Sequence, residues 1–391
     1  RLVEATLTMK KGNTIEIIAI LSLSFILTST YSVSGVVPSL LEAFPFYSRS
    51  SIEFLVSIPS ISMIVMIALS PLLAKFLSER AIIISGLLIA GIAGIVPFFT
   101  TSFPMIFVSR LITGVGFGLI NTCAVSMISE RFTGKKRAHL LGYRTSIETL
   151  GQAVLTLIAG QLLIWGWQPA FLIYSIAFPL LALYLFFVPN KEVEKQNTYT
   201  KEKFQIHQFL PVLVSALFGG LLIATNTANS LRIPSYIVEN NLASTLTANR
   251  VLSLFMFAGF MGGAFFGKLF TLLKKYFLTV LLFTGGLGLI LIPLSTSIHF
   301  IAIGAFLSGF TITSAVSSIF TRLPEKIPLT FLNTANAMVL IGCNLGATIA
   351  PLLLNWIGKI NASLDFPFII FAFIFFVISI GSFWHSKTHS R

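Results

Sequence analysis

Residues 81–100 read AIIISGLLIAGIAGIVPFFT and contain no charged side chain. A helix needs about 20 residues to cross the ~30 Å hydrocarbon core of a bilayer. A backbone in lipid must also satisfy its own hydrogen bonds, and a helix does so within one segment. This stretch therefore predicts a transmembrane α-helix.

Eleven further apolar stretches of similar length fill most of the chain, and a charged segment at 190–208 divides the twelve into six and six. We therefore predict an all-α membrane protein with twelve transmembrane helices. Residues 1–189 form one six-helix half, residues 209–391 form the other, and residues 190–208 link them. The predicted helices are 15–38, 54–74, 81–100, 104–128, 140–164, 168–189, 210–231, 251–272, 276–296, 299–320, 331–356 and 366–385.

The composition excludes several functional classes. Hydrophobic residues make up 55% of the chain and charged residues 10%, whereas a soluble protein carries about 25% charged residues. Cys123 and Cys343 both fall inside predicted helices, which favours apolar packing over a disulfide or a metal site. The sequence has no phosphate-binding loop for ATP and no His-Glu-x-x-His pattern. We expect no enzyme activity, no metal and no cofactor.

The formal net charge of +13 is distributed unevenly over the predicted loops. Most Lys and Arg residues fall on the side that holds the two termini and the 190–208 segment. Arg49, Arg232, Arg250 and Lys359 fall on the other side. This asymmetry follows the positive-inside rule, which predicts cytoplasmic termini in a cell membrane. The basic residues orient the protein in the lipid bilayer, so we do not expect a nucleic-acid partner.

Glycines suggest both a repeat and close helix packing. Gly118 and Gly309 lie 191 positions apart, as do Gly151 and Gly342. Repeated halves with a binding site between them are common in transporters. Gly114 and Gly118 lie four residues apart, and small residues at this spacing let helices approach closely in lipid. We take Gly114, Gly118 and Gly151 as candidates for conformational roles, with static packing as the alternative.

The fourth predicted helix carries Arg110-Leu-Ile-Thr-Gly114-Val-Gly116-Phe-Gly118. This pattern resembles the Arg-x-x-x-Gly-x-Gly motif of the major facilitator superfamily, and the twelve-helix plan resembles the same family. The resemblance implies a secondary transporter of a small solute, of the bacterial drug or small-solute type. It also implies that Arg110 takes part in proton coupling. The alternative is an arginine that extends to the membrane interface.

Two segments depart from the family pattern. In Pro71-Leu-Leu-Ala-Lys75-Phe-Leu-Ser-Glu79-Arg80, Lys75 stands where the family has an aspartate that helps to close the cytoplasmic side. Lys75 cannot take the part of that aspartate, but Glu79 can pair with Arg80, Arg131 or Arg137 instead. We therefore take Lys75, Glu79 and Arg80 as candidates for conformational or gating roles. Family drug antiporters have Gly-Pro at the position of Leu155-Thr156, which weakens the likeness to drug export.

Glu148 is the acid that the sequence places well inside a predicted helix, and Arg144 precedes it by four residues. Residues at this spacing share a helical face. Intramembrane acids are candidates for proton transfer, so we take Glu148, Arg144 and Arg110 as proton-coupling candidates. The alternative is a static Arg144–Glu148 pair.

Polar side chains inside the predicted helices are candidates for solute binding. Asn226 and Asn229 share a face of the seventh helix, and Asn336 lies in the eleventh. Amides donate and accept hydrogen bonds without a fixed charge. Tyr31 and Tyr143 add aromatic and hydroxyl groups. The alternative for these residues is hydrogen bonding between helices.

The sequence leads first to proton-driven export of a small organic solute by a monomer, with the proton gradient as the energy source. A second hypothesis is uptake of a small anion. It rests on the excess of intramembrane arginine and on a resemblance of Leu55-Val-Ser-Ile-Pro59 and Leu77-Ser-Glu-Arg80 to cyanate- and nitroimidazole-type members. A lipid flippase or a non-transporting membrane sensor is a third.

Overall fold

The computed structural model describes residues 14–131, 134–189, 206–327 and 332–388. Eleven helical stretches in this part of the chain are long and apolar enough to cross a membrane. One of them, Thr245–Leu294, contains two helices separated by a 3-10 turn at Lys274–Tyr276, where Lys274 has a φ of 48°. The described residues therefore form twelve helices and no β-strand.

The helices correspond one to one with the predicted stretches. They are α1 (Thr14–Ala43), α2 (Arg49–Ser57 continued by Pro59–Phe76), α3 (Glu79–Phe99), α4 (Phe103–Arg131), α5 (Gly134–Leu162), α6 (Pro169–Phe187), α7 (Ile206–Glu239), α8 (Thr245–Leu273), α9 (Phe277–Leu294), α10 (Ile298–Lys326), α11 (Leu332–Ile360) and α12 (Phe366–Thr388). Twelve crossings place both ends of the described chain on one side of the bundle, here called the terminal side. The opposite side is called the far side.

Several helices begin earlier than hydropathy predicts, because a serine caps them. Ser48 Oγ accepts a hydrogen bond from Ser51 N at 3.2 Å, and Ser244 Oγ accepts one from Thr247 N at 3.3 Å. Such N-caps satisfy a backbone donor that the first turn leaves free. The prediction started α2 at 54 and α8 at 251, so it left Glu53 and Asn249 outside their helices. Both residues lie inside and are about 1% exposed.

The seventh helix corrects two further boundaries. It begins at Ile206, so residues 206–208 belong to the helix and not to the predicted linker, and residues 190–205 lie outside the described residues. It ends at Glu239. Arg232 is therefore inside the helix and 5% exposed, whereas the charge count had placed it on a loop.

The two halves repeat the same helix pairs. In the first half α1 packs on α5, α2 and α3 pack on α4, and α3 packs on α6. In the second half the corresponding pairs are α7 with α11, α8 and α9 with α10, and α9 with α12. Gly151 lies against the carbonyl oxygen of Phe25, and Gly342 against that of Ala216, so even the close contacts recur at the 191-residue shift.

The halves meet where α5 packs on α8, α2 on α11 and α1 on α7. Near the far end of α5, Ser253 Oγ on α8 donates to Ala153 O at 2.8 Å, and the Thr156 hydroxyl contacts Met256 Sδ. These contacts and the ion pairs described below hold the halves together toward the far side.

Candidate functional site

Arg110 is 1% exposed and lies inside the first half. Its Nε donates to Leu55 O at 3.1 Å, Nη1 to the Tyr174 hydroxyl at 2.7 Å and Nη2 to Thr30 O at 3.2 Å. The interpretation that Arg110 extends to the membrane interface is therefore wrong. Its guanidinium joins α1, α2 and α6 to α4.

The sequence explains why these acceptors are free. Pro59 has no N–H, so it cannot bond the carbonyl of Leu55 one turn earlier, and α2 is interrupted at Ile58. Thr30 lies in a 3-10 stretch of α1 at Ser29–Val36, where backbone bonding is less regular. Arg110 supplies donors to irregular backbone that lipid could not satisfy.

Arg144 and Glu148 lie on one face of α5, as their spacing predicts. Arg144 Nη1 lies 3.6 Å from Glu148 Oε2, and the two side chains are 13% and 19% exposed. Arg144 Nη2 also donates to Asn121 Oδ1 of α4. Arg110 and Glu148 share none of these partners, so the structure places the proton-coupling candidates in two separate clusters.

Tyr31 stands where three helices meet. Its hydroxyl lies 2.9 Å from Ser60 Oγ of α2, and Thr227 of α7 is a neighbouring side chain from the other half. Asn229, on the same helix as Thr227, is 1% exposed, and its amide has no hydrogen-bond partner among the described residues. Asn226 is half-buried. Tyr31 and Asn229 are thus buried side chains of α1 and α7, two helices that pack on each other between the halves.

Two other solute candidates lie elsewhere. Asn336 is four residues from the start of α11, whereas Tyr31 is 17 residues from the start of α1. At 1.5 Å per residue the two side chains sit at different depths. Tyr143 is 59% exposed. The structure therefore does not bring Asn336 to the depth of the Tyr31 contact.

The terminal-side candidates are partly described. Arg80 donates to Val188 O at 3.2 Å and to Leu185 O at 3.3 Å, so it caps the end of α6. Glu79 lies in the first turn of α3, which Ser78 caps. The side chain of Lys75 lies outside the described residues.

Glycines 114, 118 and 151 lie at helix crossings. A Cβ on Gly114 would meet the backbone of Pro59, and one on Gly118 would lie 2.5 Å from Met66 Cβ. Both glycines therefore let α4 approach α2, which fits the packing interpretation. Gly151 does the same for α5 and α1.

Two ion pairs between the halves were not predicted from the sequence, and together they are here called the far-side gate. Arg232 Nη1 of α7 lies 3.2 Å from Glu53 Oε1 of α2, and the two side chains are 7% and 1% exposed. Nearer the far side, Arg49 donates to both oxygens of Glu239 at 2.9 and 2.5 Å. The cap at Ser48 is the sequence signal that would have placed Glu53 inside α2.

A second missed feature is Asn249 of α8, which is 1% exposed. It lies against Gly35 of α1 and Gly160 of α5, and a Cβ on either glycine would collide with its side chain. The two glycines thus leave room for a side chain of the other half.

A cavity of about 290 Å³ adjoins the far-side gate. Its lining includes Arg49, Glu53, Arg232, Glu239 and Lys359. A second, apolar groove of about 390 Å³ is lined by α5 and α6, for example by Leu155 and Pro179. That groove draws on one half only, so it gives no lateral opening between the halves.

The described residues thus form a multi-pass membrane protein of twelve helices with polar side chains buried between them. A family model described as Major Facilitator Superfamily matches residues 19–331, well over half of the chain. The chain belongs to this family, as its resemblance predicts, and is a secondary transporter of small solutes. No curated protein matches the chain.

Proposed function

We propose that the protein exports a small organic solute in exchange for protons by exposing one site alternately to each side. The observation that carries the proposal is the Arg144–Glu148 pair inside α5, the helix that also contacts the other half through Ala153 and Thr156. A change in the charge of Glu148 therefore acts on a helix that spans the inter-half contact.

The link between Glu148 and the solute candidates runs through α1. Thr28 Oγ1 donates to Glu148 O at 3.1 Å, and Ser32 Oγ donates to Gln152 O at 3.1 Å. Tyr31 lies between these two residues on α1. A shift of α5 on loss of the Arg144–Glu148 attraction would carry the Tyr31 region with it, which biases a two-state equilibrium.

The direction rests on the charge distribution. Basic residues concentrate on the terminal side, which supports a cytoplasmic location for that side. The far side then faces outward and is held by ion pairs in this structure. A site closed to the outside and loaded from the cytoplasm suits export.

Uptake of a small anion is the weaker candidate, because the intramembrane arginines already have partners. Arg110 bonds two carbonyls and a tyrosine, Arg144 pairs with Glu148, and Arg232 pairs with Glu53. These three arginines therefore already have partners within the protein and are not free to bind an anion.

The test uses proteoliposomes with an imposed pH gradient and a pH-sensitive dye. Tetraphenylphosphonium, glycine betaine and cyanate serve as cationic, zwitterionic and anionic probes. We expect addition of the cationic or the zwitterionic probe to cause proton movement across the membrane. Glu148→Gln should abolish that proton movement while leaving the protein folded. Glu42→Gln, an exposed acid on α1, is the matched control and should behave as the unaltered protein.

Unchanged gradient-driven movement in Glu148→Gln would contradict the coupling role of Glu148. Proton movement with cyanate alone would replace export of an organic solute by anion transport.

A further inference from the structure

We propose that Glu53 is a proton-binding site between the two halves, loaded from the far side through the adjoining cavity, and that its protonation opens the far-side gate. The proposal rests on alternating access in the proposed function, but not on Glu148 or on the identity of the solute.

The first argument is the isolation of the Glu53 carboxylate. Its side chain is 1% exposed, and neither oxygen has a hydrogen-bond partner among the described residues. Arg232 lies 3.2 Å away, yet its Nε also lacks a hydrogen bond there. A buried carboxylate without hydrogen bonds depends on its counter-charge. The charged form of Glu53 is therefore maintained by a residue of the other half.

The second argument is access for water and protons. The cavity of about 290 Å³ is lined by both ion pairs of the far-side gate. One water occupies about 30 Å³ in the liquid, so the cavity has room for several. Arg49 and Glu239 at its rim are each about a third exposed, at 31% and 32%. Protons can thus reach Glu53 from the far side without passing the Tyr31 contact.

The third argument is the set of charged and titratable groups around Glu53. Arg232 and Glu239 face it from α7, Arg49 from its own helix and Lys359 from α11 across the cavity. Arg110 of α4 bonds the carbonyl of Leu55, two residues along. From α1, Tyr31 contacts Ser60 of α2, which is seven residues, or about two helical turns, beyond Glu53.

These charges make the response to a proton directional. The cavity lining carries three cations, Arg49, Arg232 and Lys359, against two carboxylates. Protonation of Glu53 removes the buried attraction between α2 and α7 and leaves the cations in excess by one more charge. The remaining Arg49–Glu239 pair is exposed, and exposed pairs contribute little. Acid on the far side should therefore favour the state that is open to the far side.

The experiment measures the far-side distance between the halves by pulsed electron paramagnetic resonance. Spin labels are attached at Phe46→Cys and Asn240→Cys, two exposed positions next to α2 and α7. Both native cysteines are replaced, by Cys123→Ala and Cys343→Ala, so that only the two new cysteines are labelled. Both native thiols are buried. The full chain in nanodiscs is measured from about pH 8 to about pH 5, where perturbed carboxyls titrate.

We expect the ratio of the far-open to the far-closed state to rise about tenfold on acidification, within the usual range for such coupling. Glu53→Gln should show the longer distance at every pH. Glu53→Gln/Arg232→Gln, which leaves no buried charge, should also be independent of pH and guards against misfolding of the single variant. Glu42→Gln and Glu239→Gln should keep the pH response.

A pH response that persists undiminished in both Glu53 variants, or that is lost in Glu239→Gln, would overturn the proposal. Failure of the transport test with a distance response that depends on Glu53 would instead refute only proton-driven export.

Discussion

Arg110 and Arg232 are both arginines buried inside a membrane helix, but they are held in different ways. Arg110 bonds carbonyls of α1 and α2 and a tyrosine of α6, all within the first half. Arg232 pairs with Glu53 of the other half, and one of its nitrogens has no hydrogen bond among the described residues. Arg110 thus donates its hydrogen bonds to neutral acceptors, whereas Arg232 is held by one residue of opposite charge.

The contacts of Arg110 stabilise one half, whereas the contact of Arg232 joins the two halves. The carbonyl acceptors of Arg110 do not titrate, so a proton cannot remove these contacts. A carboxylate can be neutralised by a proton, so the attraction between Arg232 and Glu53 can be removed. Arg110 therefore holds one half together, whereas Arg232 joins the two halves through a contact that a proton can remove.

The largest effect is expected for Arg110→Ala. The change leaves Leu55 O and Thr30 O without their donors in a site that excludes water. We expect a loss of about 4 kcal/mol in the free energy of unfolding, seen as a strong fall in Tm and in the yield of monodisperse protein. Arg250→Ala, at an exposed position of α8, is the control. A stable Arg110→Ala protein that has lost only proton coupling would reverse the comparison.

A smaller effect is expected for Arg232→Gln. The substitution leaves Glu53 buried and unpaired, which costs about 3 kcal/mol. The double variant Glu53→Gln/Arg232→Gln should recover part of that loss, because it leaves no uncompensated charge. The measurement is Tm for the two single variants and the double variant. Additive losses would show that the pair does not interact and would remove the contrast with Arg110.

The smallest effect is expected for Gly35→Ala and Gly160→Ala. Each added methyl collides with Asn249 when the far side is closed, and overpacking of this kind costs about 2 kcal/mol. The cost falls on the closed state, so labels at Phe46 and Asn240 should report a larger far-open fraction with little change in Tm. Gly267→Ala, where a Cβ meets no atom within 4 Å, should leave the distance unchanged. An equal shift in all three variants would mean that Asn249 does not act in closure.

Much of the fold follows from local pattern, and the family match agrees with it. Each predicted stretch contains a helix, because hydropathy over about 20 residues is decided by many side chains at once. The ends are less certain, since a charge near a helix end lowers the average. This is why Glu53 and Asn249 were placed outside α2 and α8, although Ser48 and Ser244 mark both starts.

The candidate site was less predictable. Arg144 and Glu148 are four residues apart, so helix geometry alone brings them together. The free carbonyl of Leu55 follows from Pro59, but only packing shows that Arg110 reaches it. The proton-coupling and solute-binding roles of Arg110, Glu148, Tyr31 and Asn229 remain predictions.

Composition and spacing along single segments predict the membrane location, the twelve helices and the family, and the family match agrees. Which buried charges meet is visible only once the helices are packed. Glu53 and Arg232 lie 179 positions apart in different halves, and no local pattern records a contact that forms only when two separately folded bundles pack together. The same holds for Asn249, whose space is provided by glycines on α1 and α5.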